Sequence, residues 1–320
     1  MFSIKPINNI LDMSEKKAAI TIRAIDQNSN SFHEFKKKLK IDYINTTGKR
    51  LNESELISAI KNSNAVIAGT EKYTRDVIES SENLQVISRV GVGLDSVDLK
   101  AAEDNNIMVF NTPSSPILAV AEHTVALILS LIKNICKYNE NTKIGEFNQI
   151  QGSLLSEKWV GIIGLGKIGT KVAELLECLG CKIIYYDPYF ESTNKKWLKA
   201  SSLKDLLNRA EIITLHNPPL PDNAPLLNRD NFLLCKSGSI LINTARASLI
   251  DEKDLLWALN NGIIHAAGID LLNNESHDNI LINHPNVIIT PHVASNTVES
   301  RTAMEKEAIY NILNFYGGRK

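Results

Sequence analysis

The sequence predicts an α/β protein built on parallel sheets, and two observations carry that prediction. Short apolar runs recur at intervals of roughly 20 to 30 residues with amphipathic stretches of helical period between them, the rhythm of repeated βαβ units. One run, Val160 to Ile163, leads into Gly164-Leu165-Gly166-Lys167-Ile168-Gly169 and then into an amphipathic stretch, so a strand passes through a glycine-rich turn into a helix. In chain order, strands are predicted near Ala18 to Arg23, Ala65 to Ala68, Val86 to Arg89 and Ile107 to Phe110, with helices near Ser31 to Leu39, Glu53 to Lys61 and Val97 to Glu103. Pro116 to Tyr138 is apolar on most of its circumference and reads as one long helix, covered either by its own domain or by a subunit interface. A second series of strands follows near Val160 to Gly164, Lys182 to Tyr186, Ile212 to Leu215, Ser239 to Asn243, His265 to Ile269 and Val287 to Thr290, with a helix over Thr170 to Leu179. A final amphipathic helix, Thr297 to Tyr316, follows the last strand. No Pro/Gly linker separates the two series, so any boundary lies inside the α/β rhythm.

The chain has 320 residues, enough for about two domains at roughly 100 to 200 residues each. Its 43% apolar and 22% charged residues exclude disordered and disulfide-scaffold classes. Lys plus Arg (35) nearly balances Asp plus Glu (36), which argues against a nucleic-acid partner and for small-molecule chemistry. The longest apolar stretch, Ile117 to Ile135, is interrupted by Glu122, His123 and Lys133, so no membrane span is predicted. Met1 to Lys17 lacks a long apolar segment, which makes the cytoplasm the expected location. Cys178 and Cys181 form a C-x-x-C, but Cys136 and Cys235 supply no ligand spacing. Four buried or partly buried thiols are expected, and no metal site.

In the glycine-rich segment, Gly164 permits a tight turn, Gly166 leaves room for a pyrophosphate, and Gly169 lets the helix approach the strand. The helix N-terminus offers free N–H groups. The next predicted strand ends in Asp187, 18 residues past Gly169, where a carboxylate accepts hydrogen bonds from an adenosine ribose and repels the 2′-phosphate of NADP. NAD is therefore the expected cofactor.

Polar residues also stand where the later strands end, the edge at which open parallel sheets bind ligands. They are Arg246 after Ile242 to Ala245, Asp270 after Ala266 to Ile269, Glu275 five residues on, and His292 after Val287 to Pro291. Loss of a hydroxyl proton with hydride needs a base, which His292 suits. Glu275 could orient its ring, and the planar fork of Arg246 could grip a carboxylate or carbonyl. Each residue alone also fits an ordinary solvated or capping role.

Together with Val92-Gly93-Leu94-Asp95, Asn111-Thr112-Pro113 and Val120-Ala121-Glu122-His123-Thr124, these motifs resemble the D-isomer-specific 2-hydroxyacid dehydrogenase family from about Val66 to Ile312. The resemblance implies an NAD-dependent oxidoreductase in which Arg246 binds the substrate's carboxylate and carbonyl, Glu275 supports the histidine, and His292 exchanges the proton. It implies that backbone N–H groups near Val92 and Gly93 hold the substrate carboxylate, and that Asp270 contacts the nicotinamide amide. Lys167, Ile168, His216, Pro218, Thr244 and Ala245 join the three glycines and Asp187 as expected cofactor contacts. The implied fold is a Rossmann-type NAD domain (113–293) inserted in a smaller flavodoxin-like substrate domain (1–112 and 294–320), with a homodimer built on the NAD domain. The nearest branch is that of 3-phosphoglycerate dehydrogenase, with Lys72, Arg75 and Arg89 as available phosphate cations and no C-terminal regulatory domain expected. The alternatives are a glyoxylate/hydroxypyruvate reductase, a D-lactate-type dehydrogenase, and a non-catalytic NAD(H)-sensing corepressor. Three departures from the family pattern stand out. Ala247 replaces a glycine and would be strained at positive φ, Ser276 replaces a proline, and Asn273-Asn274 stands where a bulkier residue is common.

Overall fold

A computed structural model describes residues 13–190, 196–220, 222, 224–274 and 276–318. The sequence reading of Met1 to Lys17 therefore lies mostly outside the described residues, and Glu275 lies wholly outside them. The chain runs through β1 (Lys17–Ile20), α1 (Asn30–Lys38), β2 (Lys40–Ile44), α2 (Glu53–Ile60), β3 (Ala65–Ala68), α3 (Arg75–Glu79), β4 (Val86–Arg89), α4 (Leu99–Asp104) and β5 (Met108–Phe110). It continues through α5 (Ile117–Ile132), α6 (Ile135–Lys143), β6 (Trp159–Ile163), α7 (Lys167–Cys178), β7 (Lys182–Tyr186), β8 (Leu198–Lys199), α8 (Leu203–Arg209) and β9 (Ile212–Leu215). Then come α9 (Arg229–Phe232), β10 (Ser239–Asn243), α10 (Glu252–Asn260), β11 (Ile264–Ile269), β12 (Val287–Ile289) and α11 (Val298–Gly317). These elements form two compact units, one from the chain up to Pro116 with the segment from Thr297 onward, the other Ile117–Asn296.

In the first unit the parallel order β2-β1-β3-β4-β5 is that of the flavodoxin-like doubly wound fold. Side chains alternate across each strand, so Ala18, Ile20, Ile67 and Val86 face α1 and α11, whereas Ala19, Val66, Ala68 and Ile87 face α2 to α4. Polar anchors fix α11 on this sheet. Asn311 Nδ2 donates to Ser88 Oγ and to the Asn111 carbonyl, and the Tyr316 hydroxyl donates to the Asn64 carbonyl. Local capping sets the helix starts, as at α2, where Asn52 and Glu55 form a capping box.

The second unit has the parallel order β12-β11-β10-β9-β6-β7-β8. Numbered within the unit, this is the Rossmann order with one added strand, and its order reverses between β6 and β9. Val160, Ile162, Ile183 and Ile242 pack under α5 and α7, while Ile163, Ile184, Leu241 and Ile269 pack against α8 and α10. The fold class read from the sequence, two doubly wound α/β units of these two types, is the one observed.

Four sequence expectations need correction. Pro116 to Tyr138 is not one helix. Asn134 takes a left-handed conformation (φ 56°), which a right-handed helix cannot carry, and α5 and α6 meet there at 59°. The apolar face of α5 is covered within its own unit by α7, β10 and β11, leaving Leu118 52% exposed, and Ile135 at the start of α6 is 55% exposed. The strands β2 and β8 escaped the sequence reading, and each is a sheet edge. An edge strand is incompletely covered, so Lys40 and Asp42 interrupt any apolar run. Helix α7 starts at Lys167 rather than Thr170, with Gly169 inside its first turn. Of the cysteines, all free, Cys178 is exposed at the end of α7, and burial pushes the Cys181 and Cys235 thiols up to about 11 and about 12. Among the described residues, no single helix is long and apolar enough to cross a membrane.

Helix α11 closes one face of the first sheet with Ile309 wholly buried. Ile309→Ala should lower unfolding free energy by about 2–5 kcal/mol, through lost transfer energy and a cavity. Urea unfolding followed by far-UV circular dichroism measures this, with an unchanged m-value expected.

Candidate active site

The glycine-rich turn sits at the carboxyl end of β6, beside the reversal of strand order, and each glycine meets a different constraint. Gly164 has φ 91°, and a Cβ there would come within 2.6 Å of the Asn217 nitrogen and 2.8 Å of the His216 carbonyl carbon. A Cβ on Gly169 would lie 2.1 Å from the Gly164 carbonyl oxygen, so only glycine lets α7 start this close to the strand. Gly166 is the N-cap of α7, makes no side-chain cap, and has open space where a Cβ would stand. The first-turn N–H groups of α7, at Lys167 and Ile168, therefore point into an uncovered space with the positive end of the helix dipole behind them. This cradle fits a dinucleotide's pyrophosphate.

Asp187 ends β7 with its carboxylate against that turn. Its Oδ2 accepts from the Leu165 amide at 2.8 Å and its Oδ1 from the Tyr189 amide at 2.8 Å. Two residues 22 positions apart are thus locked together, with the negative charge fixed beside the glycine loop. The His216 amide donates to the Ile163 carbonyl at 2.7 Å, and its Nε2 lies 2.9 Å from Thr214 Oγ1. Burial pushes the His216 imidazole down to about 3, so it is neutral at ordinary pH and contributes shape rather than charge. Pro218 follows on the exposed side of the same loop.

The strand-end polar residues fall into two braced turns. At the end of β10, buried Asn243 shapes the first, its Oδ1 accepting from the Ala245 amide at 3.0 Å and its Nδ2 donating to the Arg246 carbonyl at 2.8 Å. Thr244 Oγ1 is 2.9 Å from Thr124 Oγ1 on α5, and Arg246 Nη1 donates to the Ala245 carbonyl at 2.6 Å. Ala247 opens a 3-10 turn (Ala247–Leu249) and does not have positive φ, so the strain expected from the missing glycine does not arise.

The second turn hangs on Asp270, which is fully buried. Its carboxylate accepts from the Thr290 hydroxyl, from the Val293 amide at 3.0 Å and from the Ala294 amide at 3.0 Å. The His292 amide donates to the Asp270 carbonyl at 2.7 Å. His292 itself is exposed and held at φ 53°, a region a non-glycine residue enters only when its surroundings impose it.

Three residues of these turns carry no role in the sequence reading. His123 on α5 places Nε2 3.1 Å from Thr290 Oγ1 and 3.6 Å from Asp270 Oδ1. Thr290 links the two. Glu252, in the first turn of α10, accepts from the Asn273 amide at 2.7 Å and from Asn279 Nδ2 at 2.9 Å, so it ties down the loop on either side of position 275. The sequence reading places no helix at Glu252–Asn260 and does not single out Glu252. Asn273, which departs from the family pattern, is engaged in that tie, while Ser276 accepts from the Asn279 amide at 3.1 Å.

In the first unit, Val92 and Gly93 follow β4 and Gly91 (φ 136°). The Gly91 amide donates to Thr112 Oγ1 at 2.7 Å, and Asn111 Nδ2 donates to the Val92 carbonyl at 2.6 Å. Arg89 lies against this turn, since a Cβ on Gly91 would overlap its Nη1. Arg75 instead pairs with Glu79 at 3.0 Å and Asp104 at 2.9 Å, and Lys72 is exposed.

Comparison with known proteins matches this architecture. Residues 125–294 match the family described as D-isomer specific 2-hydroxyacid dehydrogenase, NAD binding domain. The chain is 39% identical over 261 residues to a D-3-phosphoglycerate dehydrogenase of Methanocaldococcus jannaschii, covering 79% of this chain and 50% of that one. It is 34% identical over 258 residues to the enzyme of that name from Bacillus subtilis, covering 79% and 49%. The chain thus spans about half the length of the curated relatives it matches. Among solved structures, the TT0316 protein of Thermus thermophilus superposes with a TM-score of 0.86 at 28% identity, covering 95% of this chain and 98% of that one.

Two measurements probe the glycine turn and His216. Gly166→Val should leave the melting temperature unchanged while weakening dinucleotide binding at least tenfold, because its side chain meets no protein atom but would stand at the α7 N-terminus in the way of a pyrophosphate. Gly169→Val should cost about 2 kcal/mol or more of stability, because its Cβ meets backbone. The two variants, compared by thermal melts and NADH fluorescence titration, should separate cleanly. For His216 the folded imidazole resists protonation while the unfolded one accepts it near pH 6.5, so its contribution to stability is lost as pH falls below 6.5. Relative to His216→Gln, the unmodified chain should lose about 1.4 kcal/mol more for each pH unit from 6.5 down to about 4, measurable by denaturant unfolding across that range.

Proposed function

Because the chain belongs to the D-isomer specific 2-hydroxyacid dehydrogenase family, we propose that it is an NAD-dependent oxidoreductase interconverting a D-2-hydroxy acid and its 2-oxo acid, with 3-phosphoglycerate as the first candidate substrate. The observation that carries this reading is His292, exposed in a left-handed conformation at a strand's carboxyl end and held there by hydrogen bonds to buried Asp270.

The cofactor cradle is assigned to Gly164, Gly166, Lys167, Ile168 and Gly169, with Asp187 favouring NAD over NADP by its fixed negative charge. His216, Pro218, Thr244, Ala245 and Asp270 complete the assigned contacts. The bound nicotinamide supplies hydride transfer. His292 takes the hydroxyl proton in oxidation and returns it in reduction. Arg246 presents a planar cation to the substrate's carboxylate and carbonyl oxygens, polarising the carbonyl. Glu275 supports the imidazolium, and the amides of Val92 and Gly93 are assigned to the substrate carboxylate, both on family resemblance. The first unit is assigned as the substrate domain and the second as the NAD domain.

An unphosphorylated acid is the second reading, favoured by the pairing of Arg75 with Glu79 and Asp104, which removes one of three candidate phosphate cations. The exposed apolar side chains of Ile135, Phe147 and Leu154 support a homodimer built on the NAD unit. A cytoplasmic location goes with this reading.

His292→Asn should lower turnover by roughly 10² to 10⁴ while leaving NADH affinity within about twofold. Turnover near that of the unmodified chain removes His292 from the mechanism. A steady-state panel of 2-oxo acids with and without phosphate, run with NADH and NADPH, decides substrate and cofactor. Absence of oxidation on every acid would favour an NAD(H)-sensing protein.

A further inference from the structure

We propose that His123 is a positioning residue for the chemistry at His292, acting through Thr290 and Asp270. All the groups involved lie in one unit. The Thr290 hydroxyl has one hydrogen, and it is given to Asp270 Oδ1. At 3.1 Å from His123 Nε2, Thr290 Oγ1 is therefore the acceptor, which assigns the ring proton to Nε2. A directed chain results, from the imidazole N–H to the hydroxyl, from the hydroxyl to the buried carboxylate, and onto that carboxylate from the amides of Val293 and Ala294. Each bond polarises the next in a water-poor setting. Its far end is the backbone on the C-terminal side of His292, and the His292 amide is bonded to the carbonyl of the same aspartate.

The placement of His123 makes this more than a stray contact. Its neighbour on α5, Thr124, reaches Thr244 Oγ1 in the turn that carries Arg246. Adjacent residues of one helical turn thus fasten both strand-end turns that bear the proposed catalytic groups. His123 is a partly exposed side chain, its side chain 22% exposed, whose fold contribution is small beside the apolar face of α5. Its bond instead fixes the rotor of the one hydroxyl that Asp270 accepts from. Without that donor the hydroxyl is free to turn away from Asp270, and the 290–294 turn loses one of the bonds holding His292 at φ 53°.

The inference rests on the catalytic role proposed for His292, and its test has one arm that depends on that role and one that does not. His123→Phe keeps the ring's bulk without a donor, and His123→Gln keeps an N–H able to reach Thr290. His123→Phe should lower kcat about tenfold or more, the order expected for a misplaced catalytic group, with NADH affinity within twofold and an unchanged melting temperature. His123→Gln should restore kcat to within about threefold. In the second arm, hydrogen exchange at the Val293 and Ala294 amides should quicken about tenfold in the Phe variant and not in the Gln variant. Unchanged kcat with unchanged protection in the Phe variant overturns the proposal, as does a Gln variant that fails as badly as Phe while still folded. If the unmodified chain turns over no 2-oxo acid, the dehydrogenase reading fails, and the exchange arm alone then decides whether His123 holds the turn.

Discussion

A carboxylate removed from water must find hydrogen-bond donors inside the protein or cost the fold several kcal/mol, and Asp270 has no exposure at all. Its donors come from residues 20 to 24 positions further along: the Thr290 hydroxyl and the amides of Val293 and Ala294. Satisfying the buried charge therefore dictates the path of the chain between them, including the unfavourable backbone angle of His292. The same aspartate's amide donates to the Asn243 carbonyl, and Asn243 in turn shapes the loop that presents Arg246. Two turns at neighbouring strand ends are thus organised from one buried anion outward.

The glycine turn follows a different logic. Gly164 and Gly169 are fixed by the protein's own backbone, which would collide with any side chain there. Gly166 meets no described atom within 4 Å where a Cβ would stand, so the described residues do not themselves demand glycine there, whereas a pyrophosphate seated on the α7 N-terminus would. Asp187 joins the two kinds of constraint. Bonding to the Leu165 amide settles the shape of the loop and, in the same act, fixes a carboxylate beside the glycine turn.

How much of this was legible in the sequence depended on how local each cause was. Interior strands such as Val160 to Ile163 are covered on both faces, so they appear as unbroken apolar runs, and nearly every one was placed within a residue or two. The edge strands β2 and β8 leave no such run. Gly164, Gly166 and Gly169 were readable because their spacing in one short turn is a local pattern, although only Gly169 meets its steric constraint within a few residues, at the Gly164 carbonyl. The break at Asn134 was not, because a single asparagine in a left-handed conformation carries no periodic mark. Least visible were partnerships across the chain. His123 and Thr290 are 167 positions apart, and nothing in either neighbourhood announces that they meet. Arg246, Asp270 and His292 could be singled out only by their places at strand ends and by family resemblance, since their geometry is built from such distant pairs.

The topology of the first unit has a consequence for how the protein is made. Its sheet is complete by Phe110, yet the helix that covers Ala18, Ile20, Ile67 and Val86 begins at Val298. A ribosome emits those strands long before it emits their lid, at roughly 5–20 residues per second. For the interval in which the intervening 180 or so residues are being synthesised, an apolar face of the nascent sheet has only α1 on it. The newborn chain is thus most prone to aggregation at a surface that the finished molecule never shows.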